Sequence, residues 1–173
     1  MYIFYVILNL LGLASLIAAA VIKGEKIKEN LFFVFSGNVL VGISYLFTTA
    51  GINGAVSAFT GGLQAIINYF FNSKNKKIPT WLTTVYALMF LILNIAVTRS
   101  PIGILALLAA LCFVGSISAK NGKGYRIWQI LNSSLWISYD ILSHSYGPLA
   151  THLVLFGFTI AGMLINDYKF KTK

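Results

Sequence analysis

Residues 124–147 read GYRIWQILNSSLWISYDILSHSYG and hold more polar chemistry inside one apolar span than any other part of the chain. Taken as a helix, the stretch carries Trp128, Asn132, Trp136, Tyr139 and Asp140 at i, i+4, i+8, i+11 and i+12. Two indoles, an amide, a phenol and a carboxylate then share one face. Such a face needs water or protein beside it, and the rest of the chain indicates which.

The 173 residues are 58% hydrophobic and 10% charged, with a mean hydropathy of +0.81. That balance is far from a soluble globular domain and reads as an all-α integral membrane protein. Seven apolar runs of about 18–22 residues are long enough, at 1.5 Å per residue, to cross a hydrocarbon core of about 30 Å. They are Tyr2 to Ile22, Leu31 to Ala50, Asn53 to Phe71, Thr80 to Thr98, Pro101 to Ala119, Tyr125 to Ser143 and Gly147 to Asn166. Gly, Asn or Pro marks each connection. The first run lacks a basic leader and stops at Lys23, so it reads as a retained span rather than a signal peptide. The single cysteine, Cys112, lies inside an apolar run and is expected to pack as a small hydrophobe, with no disulfide and no Cys/His metal cluster.

A net charge of +9 in a soluble protein would suggest nucleic acid as a partner. Here all but Arg99 of the 13 basic residues fall in the first, third and fifth connections, counting Arg126, and in the tail. The positive-inside rule places those segments and the C-terminus in the cytoplasm and the N-terminus outside. The basic clusters are topology signals and contacts for anionic lipid before they are substrate sites.

Asn38, Ile43, Ser44 and Tyr45 recur at the same spacing as Asn132, Ile137, Ser138 and Tyr139, and Lys26 and Asn72 recur as Lys120 and Asn166. The same register lays the first three spans on the last three. An intervening span restores the orientation of a duplicated three-span unit, so the repeats are expected to be parallel. The single membrane domain then divides into a bundle at residues 2–71, a linker helix at 80–98, a second bundle at 101–166 and a basic tail at 167–173.

Seven spans as three plus one plus three, with the N-terminus outside, resemble the SWEET sugar-transporter and PQ-loop architecture. The stretches ISYLFTTAGINGA (43–55) and WISYDILSHSYG (136–147) resemble the YgjV-type bacterial inner-membrane protein family over nearly the whole chain. The resemblance implies a multi-pass protein of the bacterial inner membrane and supplies no substrate. The only prolines are Pro79, Pro101 and Pro148, and no Pro-Gln pair occurs, which departs from the PQ-loop pattern. Hinge flexibility would have to come from Gly12, Gly61, Gly62, Gly157 or Gly162, although small residues in membrane helices more often serve close packing.

Polar groups in hydrocarbon need a partner, water or a ligand. Asn38, Gln64 and Asn132 lie near the middle of their spans, where transporter sites form. Ser57, Gly61, Gln64 and Asn68 make a second stripe, and His152 and Thr159 a third. Amides both donate and accept, which suits a neutral polyhydroxyl or heterocyclic ligand, and Trp136 would add a stacking surface. The candidate substrate-binding residues are therefore Asn38, Gln64, Asn68, Asn132, Trp136 and Tyr139. Tyr45, Asp140 and His152 are candidates for coupling or gating. Asp140 is the only acidic residue inside a span; it is expected near the outer end within reach of water, with His144 or His152 as titrating partner. Trp81 and Trp128 are expected as interfacial anchors. The alternative for the amides is interhelical glue.

No paired-carboxylate site, GxSxG, HExxH or phosphate loop occurs, so no enzyme, cofactor or metal is expected. Two readings follow. One is a facilitator or ion-coupled carrier for a small, mainly neutral polar metabolite such as a sugar or vitamin-like compound. The other is a non-transporting accessory or sensor protein. A midplane cavity of about 300 Å³ or more lined by both asparagines would favour the carrier, whereas dry, mutually bonded amides would favour the accessory. Expected partners are the lipid bilayer and a small polar molecule, with no nucleic acid. A duplicated fold forms its pathway within one chain, so a homo-oligomer is not required.

Overall fold

The computed structural model describes residues 2–22, 26–47, 52–97, 101–142 and 146–167. His144, named above beside Asp140, lies outside the described residues, as do Thr48 to Gly51 of the first motif and Tyr168 to Lys173 of the tail.

Seven helices and no strand occur among the described residues: α1 Tyr2–Val21, α2 Ile27–Tyr45, α3 Ile52–Ser73, α4 Thr80–Val97, α5 Gly103–Ile117, α6 Gly122–Leu142 and α7 Tyr146–Asn166. They match the seven apolar runs in number and order. The main displacement is α2, which starts four residues before the run it corresponds to. Its polar first turn is helical because Asn30 faces α1 and donates to the Ala19 carbonyl at 2.6 Å, and Glu29 suits the positive end of the helix dipole.

The interior holds many polar side chains among its apolar ones, and large apolar side chains cover the exterior. Among the fully buried side chains, Gln64, Asn68, Asn94, Ser116, Arg126, Ser133, Asp140 and Thr159 stand beside Leu31, Val34, Phe90 and Ile117. Phe4, Leu10, Phe70, Ile92, Ile104 and Ile165 meanwhile point outward. A water-soluble fold places these classes the other way round. Lipid around the helices makes the apolar exterior favourable and forces the polar groups inward, as in an α-helical membrane protein. By length and composition α4 and residues Leu149–Asn166 of α7 clearly suffice to cross a membrane, while Val6–Val21 and Gly103–Ile117 are apolar but shorter. The polar interior residues of α2, α3 and α6 dilute their apolar character.

α2 packs between α1 and α3, and α6 between α5 and α7; α1 also meets α7, α3 meets α5, and α4 lies on α3 and α5. Close approach is allowed by small residues. A Cβ at Gly61 would stand 2.6 Å from the Phe113 ring of α5, and one at Gly162 would collide with the Ala20 carbonyl of α1. Gly62 has only ordinary contacts and Gly157 has open space beside it. No described glycine has positive φ. Gly61 and Gly162 are thus packing positions.

Candidate functional site

Asn132 is held by α5. Its Nδ2 donates to the Ala109 carbonyl at 2.7 Å, and its Oδ1 accepts from Gln129 Nε2 at 3.3 Å one turn earlier. Asn38 donates from Nδ2 to Val34 O of its own helix at 2.8 Å. The repeat-related asparagines are therefore not bonded to one another. They line a common cavity of about 90 Å³ to which all seven helices contribute, among them Asn9 from α1, Ser57 from α3, Phe90 from α4 and Phe113 from α5. Its volume is that of about three waters. It falls short of the 300 Å³ set above for a ligand pocket, while meeting the requirement that both asparagines line it.

One wall is aromatic. The His152 ring stacks on Trp136, with centroids 5.4 Å apart and planes 11° from parallel; Tyr139, expected at the ligand, meets Trp136 edge-on at 5.4 Å but does not itself line the cavity. Behind the stack, His152 Nδ1 lies 2.6 Å from Asp140 Oδ2. Asp140 is 2% exposed, which corrects the expectation of a water-reached carboxylate at the helix mouth. The first turns of α7 lie over that end of α6 and place His152 against it. Asp140 and Tyr45 each make further interactions. The Tyr45 ring packs over Gly54 at the cavity edge, where a Cβ would be 2.7 Å from it.

Gln64 and Asn68 do not line this cavity. Asn68 Nδ2 donates to Ile117 O at 2.8 Å and its Oδ1 accepts from Tyr86 OH at 3.3 Å, while Gln64 Nε2 points to Val114 O and Ser118 Oγ at 3.5 Å. They join α3 to α5, the role of interhelical glue. Their stripe divides because its upper part, Ser57, faces the cavity and its lower part faces the last turn of α5. Thr159 is buried and bonds Leu155 O within α7. Trp81 and Trp128 are 64% and 43% exposed.

A second polar constellation lies at the end of the bundle that carries the exposed lysines 26, 28, 74, 76, 77, 120 and 123. The last four carbonyls of an α-helix have no partner within it. At the end of α1 each finds a side chain from elsewhere. Ala19 O accepts from Asn30 at 2.6 Å, Ala20 O from Arg126 Nε at 3.0 Å, Val21 O from Asn166 at 3.1 Å, and Ile22 O from Arg126 Nη2. Arg126 Nη1 also reaches both carboxylate oxygens of Asp167 at 2.9 Å. Arg126 is 1% exposed and ties α1, α6 and the end of α7 together. The positive-inside count places it with the loop charges. Its position second in the run from Tyr125, inside an apolar span, was the signal that it is buried. Asn9 and Gln129 were also missed as wall residues, although both are polar residues within spans.

The Imp-YgjV family model, described as bacterial inner membrane protein, matches residues 6–170. No curated protein and no solved structure matches the chain. A match of that extent, over a helical fold with many polar side chains inside and large apolar ones outside, means that the chain belongs to the Imp-YgjV family of bacterial inner membrane proteins.

Proposed function

We propose that this chain is a membrane carrier or facilitator for a small polar solute, with no enzymatic activity, that crosses the bilayer seven times as two parallel three-helix bundles joined by α4. The packing supports the duplication: if α1 corresponds to α5 and α3 to α7, the contact of α1 with α7 is the counterpart of that of α3 with α5. The lysine-bearing end is then cytoplasmic. The observation that carries the reading is the cavity walled by all seven helices and by both repeat-related asparagines.

The cavity residues of α2, α3 and α7 come from the halves away from the lysine-bearing end, while Leu16 of α1 and Gln129 of α6 lie just past the middle of their helices toward it. At that end Arg126 and Asn166 bind α1 across the boundary between the bundles. In a carrier this arrangement closes the cytoplasmic side and leaves the cavity nearer the outside. Arg126, Asp167 and Asn166 form the inner gate, and Tyr45, Asp140 and His152 stand at the outer side. The small volume and the backbone-bonded amides favour the second reading, an accessory protein, in one respect: a cavity this size holds no sugar without opening.

Uptake into proteoliposomes of a panel of small neutral polar solutes tests the carrier. Asn132→Ala is expected to lower uptake at least about fivefold, since it removes the side-chain bond from α6 to Ala109 O of α5 and a wall group, a loss on the order of 1 kcal/mol. Asn38→Ala should act in the same direction. Uptake unchanged in both variants removes the cavity from the pathway and leaves the accessory reading.

A further inference from the structure

Three of the amides around the cavity are oriented by their partners. A backbone carbonyl only accepts, so Val34 O orients Asn38 with its Nδ2 toward α2, and Ala109 O orients Asn132 with its Nδ2 toward α5. Asn132 Oδ1 then faces the Gln129 amide and fixes it with Nε2 toward Asn132. The consequence is Gln129 Oε1, a buried carbonyl oxygen with no hydrogen-bond partner in a residue of the cavity wall. Across the cavity, the wall residue Ser57 likewise holds a buried Oγ without a partner. Buried polar atoms left unpaired cost about 1–3 kcal/mol each, so their pairing by an occupant is favourable.

The charges narrow the occupant further. Among the described residues, no lysine or arginine lines the cavity. Its one cationic candidate, His152, has Nδ1 on the Asp140 carboxylate, so any imidazolium charge there is already balanced. Tyr45 is the other titratable wall group. An anion would enter a low-dielectric site with no countercharge.

Resting on the reading of this cavity as a ligand site, we infer that it takes a compact, uncharged hydrogen-bond donor, a short polyol or a urea-like amide, against the Trp136 wall, and that it rejects carboxylates of the same size. This narrows the donor-and-acceptor ligand expected from the composition of the wall: a donor is what Gln129 Oε1 lacks. It also sets the size. A molecule of glycerol or urea dimensions suits about 90 Å³.

The test uses the three tryptophans. Trp81→Phe/Trp128→Phe protein in lipid nanodiscs retains only the cavity indole. Glycerol and urea are each expected to change Trp136 emission saturably, with acetate at least tenfold weaker. Gln129→Leu and, independently, Ser57→Ala should weaken the donor probes at least fivefold, while lipid-facing Ser134→Ala should not. No saturable response to either donor, an equal response to acetate, or donor binding indifferent to both wall variants overturns the assignment. Uptake of labelled glycerol is measured separately: binding without uptake supports the ligand assignment and defeats only the carrier.

Discussion

Arg126→Ala is expected to destabilise the fold by about 3–5 kcal/mol, the cost of removing one partner from a buried ion pair. The variant leaves Asp167, itself mostly buried, without its guanidinium, and leaves the Ala20 and Ile22 carbonyls without donors. Arg126→Lys should recover little, because an ammonium cannot serve a carboxylate and two carbonyls in three directions with one planar fork. Arg126→Met/Asp167→Leu should recover part of the loss, since an apolar pair avoids the unpaired charge but still leaves the α1 carbonyls bare. Thermal unfolding in detergent measures all three. An Arg126→Ala protein within about 1 kcal/mol of the parent would mean that the ion pair is solvated like a surface pair.

Gly162→Ala and Gly157→Ala are expected to act in opposite directions although both glycines lie in α7. At Gly162 the added methyl meets backbone, the Ala20 carbonyl, and Arg126 Nε lies 3.3 Å from the same point. Backbone cannot rotate away, so α1 and α7 must separate, at a cost of about 1–3 kcal/mol. At Gly157 nothing lies within 4 Å, and the better helix propensity of alanine should be neutral or stabilising by about 0.5–1 kcal/mol. The same unfolding assay reads both. A Gly162→Ala midpoint equal to that of Gly157→Ala would show that the α1–α7 contact is loose.

Seven helices were legible because each is written locally, as an apolar run bounded by Gly, Asn or Pro. The start of α2 was less legible, since Lys28, Glu29 and Asn30 look like a loop until α1 supplies a carbonyl for Asn30. The cavity was legible in part. Asn38, Asn132, Trp136 and His152 meet at it, while Gln64 and Asn68 share its helical stripe but fall lower, against α5. A stripe specifies a face and not the neighbour opposite, and that neighbour is a matter of tertiary packing. Asp140 was misjudged for a related reason: its distance from the span centre suggested water, yet α7 covers it. Arg126 was obscured by the positive-inside rule, which counts a basic residue by its place along the chain and is blind to its burial.

The Arg126–Asp167 pair joins residues 41 positions apart in the chain. At ribosomal rates of about 5–20 residues per second, Asp167 is made roughly 2–8 s after Arg126. During that interval α6 carries a cation whose counterion does not yet exist. Until the end of α7 emerges the guanidinium has only the Ala20 and Ile22 carbonyls at the end of α1 to bind, and the contact that fixes Asp167 forms last. Assembly of this bundle therefore finishes from its C-terminal side.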